Sequence, residues 1–390
     1  MLIHTFKEQD GKEQHLLFDE DESLVELASR FALSRTTKAR YGDRTPKEYL
    51  KALQSFCQYL RTCPSGCLAT LDDLLATIGP AAVENWLIQQ RTDGRKGSTL
   101  RFRDAVLKLF MDWLTTQEAG HIRQPTDSPY ADGNLKTVTP PRLPAKYVTY
   151  KEVADFIQVG FLNESERCLA HFLFDTGLRV SEVARVRQAD LPSIQDYPDQ
   201  VMYFPLRVHG SKGRGGFLKE RLTIISRPML ERLLRLHSNW RVYLRAQKKP
   251  AQMPVFLNVL GQPITAAAVQ KQFQKASQRL SAHTGRAKKI SPHCLRHGTA
   301  FSILQSEHGR DFIENLVVCQ RAFGHNSVQT TELYTLIPAP VIAHLQEQNT
   351  PLVVRQRYHE AEYIYEQTFK PQRAHQERRG HGRQSPPKNR

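Results

Sequence analysis

The last quarter of the chain holds four residues whose side chains could act together on a phosphate ester. His293 and Arg296 are three residues apart, so they share one face if the segment is helical. His325 follows Gly324, a residue type that commonly ends a helix, and Tyr334 comes nine residues later. An arginine fork and imidazole donors suit a phosphate, and a phenol beside them could attack it as a nucleophile.

Three sequence motifs carry these residues and an upstream arginine, Arg179. They read TGLRVSE at 176–182, HCLRH at 293–297 and GHNSVQTTELY at 324–334. In order and spacing they resemble the T-G-L-R-x-S-E, H-x-L-R-H and G-H-x-x-x-x-T-T-x-x-Y motifs of the tyrosine recombinases, the phage integrase family. The resemblance spans roughly residues 150–340, and more weakly residues 23–125.

The resemblance implies site-specific DNA recombination or integration by strand cleavage and rejoining. Tyr334 would attack a backbone phosphate and form a 3′-phosphotyrosyl intermediate. Arg179 and Arg296 would hold the non-bridging oxygens, where charge develops in the transition state. His325 would donate a further hydrogen bond, and His293 is the preferred general base. No metal ion, ATP or other cofactor is expected, because the arginines neutralise charge and the phosphotyrosine retains the bond energy.

A lysine on a β-hairpin is the general acid that the resemblance predicts for the leaving 5′ oxygen. Residues 201–208 alternate like a strand, and a glycine-rich turn, HGSKGRGG, separates them from a second strand-like run. Lys212 in this turn is the preferred lysine, and Lys219 is the alternative. Glu182 is expected to pair with an active-site arginine and orient it.

Length and hydrophobic periodicity predict a mostly α-helical chain with a small β-hairpin, an α+β fold. By resemblance, the chain has a helical core-binding domain and a tyrosine-recombinase catalytic domain. The helical pattern begins at Ser23. The expected segments are an extension with a possible hairpin at 1–22, the DNA-binding helices at 23–123, a Pro- and Gly-rich linker at 124–146, the catalytic domain at 147–350 and a basic, largely disordered tail at 351–390.

The net charge of +16 and the pI of about 9.6 favour a polyanionic partner. The resemblance makes that partner double-stranded DNA, bound by a homo-oligomer, with a tetramer expected on two paired sites. Basic residues at one helix start and on a later helix are the candidates for DNA contact. They are Arg95, Lys96, Arg101, Lys271 and Lys275.

Cysteine usage and hydropathy exclude several other classes of protein. Six cysteines form no disulfide framework, and neither a signal peptide nor an apolar run of membrane-spanning length is visible. A cytoplasmic enzyme, on a prokaryotic nucleoid, is therefore expected. Cys63 and Cys67 lack a second pair of metal ligands, and His293 with His297 lacks the glutamate of a zinc-protease helix, so no metal site is predicted.

Three other activities compete with recombination. A type IB topoisomerase-like relaxation would use the same residues without strand exchange. A catalytically silent DNA-binding protein is disfavoured by the complete residue set, and a metallo-phosphodiesterase by the missing carboxylate cluster. Integration and replicon-dimer resolution share one chemistry, and the N-terminal hairpin with the basic tail favours a mobile-element integrase.

Overall fold

A computed structural model describes residues 1–8, 13–36, 45–63, 69–140, 148–212, 218–239, 253–258, 260–306, 308, 312–323 and 357–371. Within these residues the fold is mostly α-helical with two small two-stranded sheets, which confirms the predicted α+β class. Two compact units can be distinguished. The first contains the described residues up to 140, and the second contains most of those from 148 onwards.

The first unit opens with a small antiparallel sheet and continues with helices. Strand β1 (Leu2–Lys7) pairs with β2 (Glu13–Phe18) so that Leu2 lies opposite Phe18. Aromatic side chains dominate the core, and Phe31 meets Phe110 edge to face with ring centroids 5.4 Å apart. The helices are α1 (Glu26–Thr36), α2 (Thr45–Thr62), α3 (Leu71–Thr77), α4 (Pro80–Thr92) and α5 (Gly97–Leu114).

The stretch that the sequence predicts as a linker is partly a packed segment of this unit. Asp104 of α5 is fully buried and accepts hydrogen bonds from Tyr130 Oη at 2.7 Å and from Thr137 N and Oγ1, each at 2.8 Å. Arg101 donates to Thr137 O at 2.8 Å. Residues 124–137 are therefore held on α5, which moves the start of any linker past Thr137.

The second unit surrounds a large aromatic and aliphatic core. Its helices begin at polar caps such as the capping box of Thr149, where Glu152 N donates to Thr149 Oγ1 at 3.2 Å and Thr149 N donates to Glu152 Oε2 at 2.9 Å. The elements are α6 (Tyr150–Gly160), α7 (Glu164–Thr176), α8 (Val180–Val183), β3 (Tyr203–Lys212), β4 (Leu218–Ser226), α9 (Arg227–Asn239), α10 (Ala266–Thr284), α11 (Pro292–Leu304), α12 (Phe312–Phe323) and α13 (Arg357–Thr368).

Part of the segment from residue 351, predicted as a largely disordered tail, is helical, because α13 spans Arg357–Thr368. Arg232, which is fully buried on α9, donates to Thr368 Oγ1 at 2.7 Å, and Ser302 donates to the buried carboxylate of Glu360 at 2.7 Å. Arg357 donates to the carbonyl of Asp175. Both ends of α13 are thus bonded within the second unit, while residues 372–390 lie outside the described part.

Candidate active site

Arg179 is presented by a sharp turn between two helices. Helix α7 ends at Gly177, whose φ of 62° is the left-handed conformation that glycine adopts without strain. Arg179 then stands at the N-cap position of α8, with its side chain 37% exposed. A Cβ atom at Gly177 would lie 2.2 Å from Phe323 Cε1, so this position also has no room for a side chain.

Glu182 is bonded to Arg179, the arginine that it is expected to orient. Its carboxylate is fully buried and accepts from Arg179 N at 2.8 Å and Arg179 Nη1 at 3.0 Å. Arg221 of β4 donates from Nη2 to the same carboxylate at 2.9 Å. Burial alone would raise the pKa of Glu182, but Arg221, the Arg179 backbone and the nearby guanidinium groups lower it below its ordinary value.

His293 and Arg296 lie on α11, and they share its face as their spacing predicts. Ser291 caps this helix by accepting from Cys294 N at 3.3 Å, and Pro292 occupies its first position. Burial lowers the pKa of His293, and the charges of Arg296 and Arg179 lower it further. An imidazole that is neutral near pH 7 can accept a proton, so the geometry suits a general base.

His297 packs beside His293 on the next turn, with ring centroids 4.3 Å apart. Burial, then the neighbouring charges of His293 and Arg296, lower the pKa of His297 to about 4. His297 is therefore neutral at physiological pH and adds no charge to the site.

Arg296 differs from Arg179 in being almost wholly buried, at 2% exposed. It donates from Nη1 to Gly177 O and from Nη2 to Phe323 O at 3.0 Å, and its guanidinium lies 4.2 Å from the centre of the Phe323 ring. Arg296 therefore joins the end of α7 to the end of α12 as well as reaching the site.

The C-terminus of α12 is the meeting point of three arginines. Arg296 and Arg179 both donate to Phe323 O, the latter over a longer 3.5 Å, and Arg221 donates to Ala322 O. The last carbonyls of a helix lack partners within the helix and carry the negative end of its dipole, so they attract cations. The chain is thus bonded at Phe323, the residue that directly precedes the Gly324-His325 motif.

A cleft of about 1010 Å³ in the second unit opens onto these residues. Arg179, His293 and Arg296 line it together, although they come from two separate sequence motifs. Polar side chains of α10 and of the segment before α11 also line it, among them Gln270, Gln274, Gln278, Lys288 and Lys289. Lys271 and Lys275, predicted to contact DNA, are exposed on α10 but do not line this cleft.

Four of the residues that the sequence singles out are beyond the described atoms. His325 and Tyr334 lie outside the described residues, as does the segment that follows Tyr334. The backbone places Lys212 at the end of β3 and Lys219 in β4, but their side chains lie outside the described part. The nucleophile and the hairpin lysine therefore stay predictions.

The basic residues predicted for the first unit stand at the start of α5. Arg95 and Lys96 are exposed, and Lys96 occupies the N-cap position without capping the helix with its side chain. Arg101 is half-buried and already bonded to Thr137 O. Arg95 and Lys96 are thus open to a partner, whereas part of Arg101 is used inside the protein.

Sequence reasoning missed Arg221 and the lysine pair Lys288 and Lys289. Arg221 belongs to none of the three motifs, and its partner Glu182 is 39 residues away in sequence. Lys288 and Lys289 lie a few residues before the H-x-L-R-H motif, and this nearness in sequence could have identified them.

Among the described residues, no group of three or more His, Cys, Asp or Glu side chains could hold a metal ion. None of the helices that these residues form is both long enough and apolar enough to cross a bilayer.

The lining of the cleft thus combines two arginines with an imidazole whose pKa is lowered, and such groups are suited to binding an anionic phosphate ester. A model of the phage integrase family matches residues 147–338. Tyrosine recombinase XerC of Vibrio cholerae serotype O1 is 26% identical over 338 residues, which cover 85% of this chain and 94% of that protein.

Solved structures have the same fold. XerH site-specific recombinase bound to palindromic difH substrate matches with a TM-score of 0.55 and 19% identity, over 79% of this chain and 80% of that one. A lambda integrase dimer bound to a COC' core site matches with a TM-score of 0.56 and 15% identity, over 79% and 75%. Residues 147–338 therefore belong to the phage integrase family, the tyrosine recombinases, and the chain is an enzyme of DNA strand transfer in site-specific recombination.

Proposed function

We propose that the chain cuts and rejoins double-stranded DNA at a specific site, with Tyr334 as the nucleophile and a 3′-phosphotyrosyl bond as the intermediate. The observation that carries this proposal is the convergence of Arg179, His293 and Arg296 on one cleft. Arg179 and Arg296 also donate to Phe323 O, and the motif that contains His325 and Tyr334 is the next part of the sequence.

The two arginines would divide the work of binding the scissile phosphate. Arg179 has the more exposed guanidinium and a carboxylate behind it, so it would make the first contact with a non-bridging oxygen. Arg296 would add positive charge from a buried position while it braces the wall of the cleft. Such preorganised donors stabilise the charge that develops in the transition state.

Proton transfers would complete the reaction. A phenol has a pKa near ~10 and attacks poorly at neutral pH, so Tyr334 needs a base, and the neutral imidazole of His293 is suited to that role. Lys212 at the end of β3 would protonate the leaving 5′ oxygen, with Lys219 as the alternative. His325 would donate a hydrogen bond to the phosphate.

The partner would be bound by both units and by a multimer. Arg95, Lys96 and the less open Arg101 would contact DNA from the first unit, and Lys271 and Lys275 from α10. A lambda integrase dimer on its core site supports a multimeric assembly, and we propose a tetramer on two paired sites. The relatives are recombinases, which favours strand exchange over topoisomerase-like relaxation.

The first prediction tests the nucleophile directly. Tyr334→Phe should keep the fold and DNA binding but form no covalent adduct, because the phenol oxygen that bonds to phosphorus is gone. The measurement is a denaturing gel of protein mixed with nicked, labelled DNA that carries the cognate site.

Tyr363→Phe is the matched control for this experiment. Tyr363 lies on α13, edge-on to Tyr150 with ring centroids 5.4 Å apart, and it does not line the cleft. It should form the adduct as the wild type does. Adduct from Tyr334→Phe at the wild-type level would place the nucleophile elsewhere.

A further inference from the structure

We infer that Arg221 of β4 is a positioning residue for strand cleavage, acting through Glu182 on Arg179 and through Ala322 on the end of α12. The inference rests on the proposed function, because it assigns a role in that same reaction. Arg221 is 7% exposed at its side chain, so it is unsuited to touching DNA itself. It differs in this from Arg179, which is open to the cleft.

The contacts of Arg221 join two parts of the site. Its Nη2 donates to Glu182 Oε2 at 2.9 Å, and its Nη1 donates to Ala322 O. Glu182 in turn fixes the backbone and the guanidinium of Arg179. One planar guanidinium thus sets the position of α8, which presents Arg179, relative to the last turn of α12. A planar fork with fixed donors does this better than the single point charge of a lysine.

Strand β4 is itself bonded to the end of α7, so Arg221 has a rigid base. Thr223 Oγ1 donates to Thr176 O at 3.2 Å, and Ser226 N donates to Asp175 Oδ2 at 2.9 Å. Arg221 and Thr223 are two residues apart on a strand and share one face. Strand β4 is therefore bonded to the helices on both sides of the turn that presents Arg179. It bonds to α7 through Thr223 and Ser226, and to α8 through Arg221.

The charge of Arg221 also has a defined task. Glu182 is fully buried and faces three cations, Arg221, Arg179 and Arg296. A buried carboxylate that loses a partner tends to become protonated, because burial raises its pKa. A protonated Glu182 would accept less strongly from Arg179, and Arg179 would lose its orientation toward the phosphate.

The test is single-turnover adduct formation with Arg221→Ala, with Arg207→Ala as the matched control. Arg207 is an exposed arginine on the paired strand β3. We expect Arg221→Ala to cleave about 100-fold more slowly, the size of effect that a small misplacement of a catalytic group produces. Arg207→Ala should match the wild type, and Arg221→Lys should recover only part of the rate.

A double-mutant cycle with Glu182→Gln separates positioning from a loss of folding. On the Glu182→Gln background, Arg221→Ala should cost about 5-fold rather than about 100-fold, because the buried charge that needs Arg221 is already absent and only the contact with Ala322 O remains to be lost. Loss of Arg221 should also raise the pKa of Glu182. The fall in cleavage rate on acidification should therefore begin at a higher pH in Arg221→Ala than in the wild type. A folding defect would instead lower the rate equally at all pH values, on both backgrounds.

Two results would overturn the inference while leaving the proposed function intact. One is an Arg221→Ala protein that forms adduct at the rate of Arg207→Ala. The other is an equal loss on the wild-type and Glu182→Gln backgrounds. Failure of the proposed function would look different, because the wild type itself would then form no adduct.

Discussion

Glu164 and Glu182 are two buried carboxylates of the second unit, and each is bonded to arginine side chains. The cluster around Glu164 is closed to solvent, whereas the cluster around Glu182 leaves one arginine exposed. Around Glu164, Arg232 donates from Nε at 2.7 Å and from Nη2 at 3.1 Å, so the fork is bidentate. Arg232 is fully buried and also donates to Thr368 Oγ1 at 2.7 Å. Every group in this cluster faces another protein group, and the result is an anchor for α13.

Around Glu182 the same chemistry leaves one cation open. Arg221 is closed in, as Arg232 is, but the side chain of Arg179 is 37% exposed on the cleft. A carboxylate that is buried behind an exposed arginine removes freedom from the arginine without covering it. The exposure of one partner, rather than the strength of the pair, distinguishes the cluster that lines the cleft from the cluster that anchors α13.

The largest expected effect comes from the exposed partner. Arg179→Ala should lower the rate of adduct formation by about 10²–10³-fold, the loss usual for one donor to a developing oxyanion. Its effect on thermal unfolding should be small, since the Arg179 side chain is 37% exposed and Glu182 keeps its bond from Arg221. Nicked-DNA cleavage and a thermal melt on the same preparation measure the two quantities. A large drop in melting temperature would make Arg179 structural and remove the contrast.

The anchor should behave in the opposite way. Arg232→Ala leaves the Glu164 carboxylate buried without its main partner, which should reduce the free energy of unfolding by about 3–5 kcal/mol. Urea unfolding measures this loss, and cleavage per folded molecule should change little. If cleavage falls as steeply as in Arg179→Ala, the two clusters are not functionally distinct.

Arg235→Ala is the matched control, because Arg235 lies on the same helix, α9, and is exposed. Its guanidinium lies 5.7 Å from the Tyr365 ring centre and 5.4 Å from that of Phe369. Exposed cation–π contacts contribute only about 0.5–1 kcal/mol, so this variant should lose far less stability than Arg232→Ala.

The smallest effect concerns the histidines beside the two clusters. Burial and the nearby arginines lower the pKa of His293 below 6.5, so it is neutral at pH 7 and gains a proton only on acidification. The cleavage rate should therefore fall as pH drops through that lowered pKa, by about 10-fold per pH unit. His171, whose pKa is lowered well below its usual value by burial and then by Arg232, should contribute no limb. A cleavage rate that stays constant on acidification, as far as the pH at which the protein unfolds, would contradict this.

Local pattern predicts much of this fold. The spacing of apolar residues predicts a helix from Ser98 to Thr116, and α5 spans Gly97–Leu114. Helix starts follow from caps, as at Ser291 and Thr265. The first two motifs likewise predicted that Arg179, His293 and Arg296 share one site, and these residues do line one cleft, whereas their catalytic roles stay predictions.

Distant partners explain what the sequence could not show. The helical pattern begins at Ser23, but α1 begins at Glu26, where the side chain of Asp72 accepts from the N–H groups of Glu26 and Leu27 at 2.9 and 2.8 Å. Helix α3, which supplies Asp72, has seven residues, too few for a clear periodicity. Hydropathy likewise does not reveal that Thr137 bonds to the buried Asp104, or that Thr368 at the end of α13 bonds to the buried Arg232.

Gly177 has a consequence for how this protein can change by mutation. Every single-base substitution in a glycine codon that changes the amino acid introduces a residue with a Cβ or a stop codon. At Gly177 that carbon would collide with the ring of Phe323, and the φ of 62° would be strained as well. Each amino-acid replacement that a single base change can make at Gly177 is therefore expected to be unfavourable. A residue with a Cβ would need an earlier substitution at Phe323 that makes room for it.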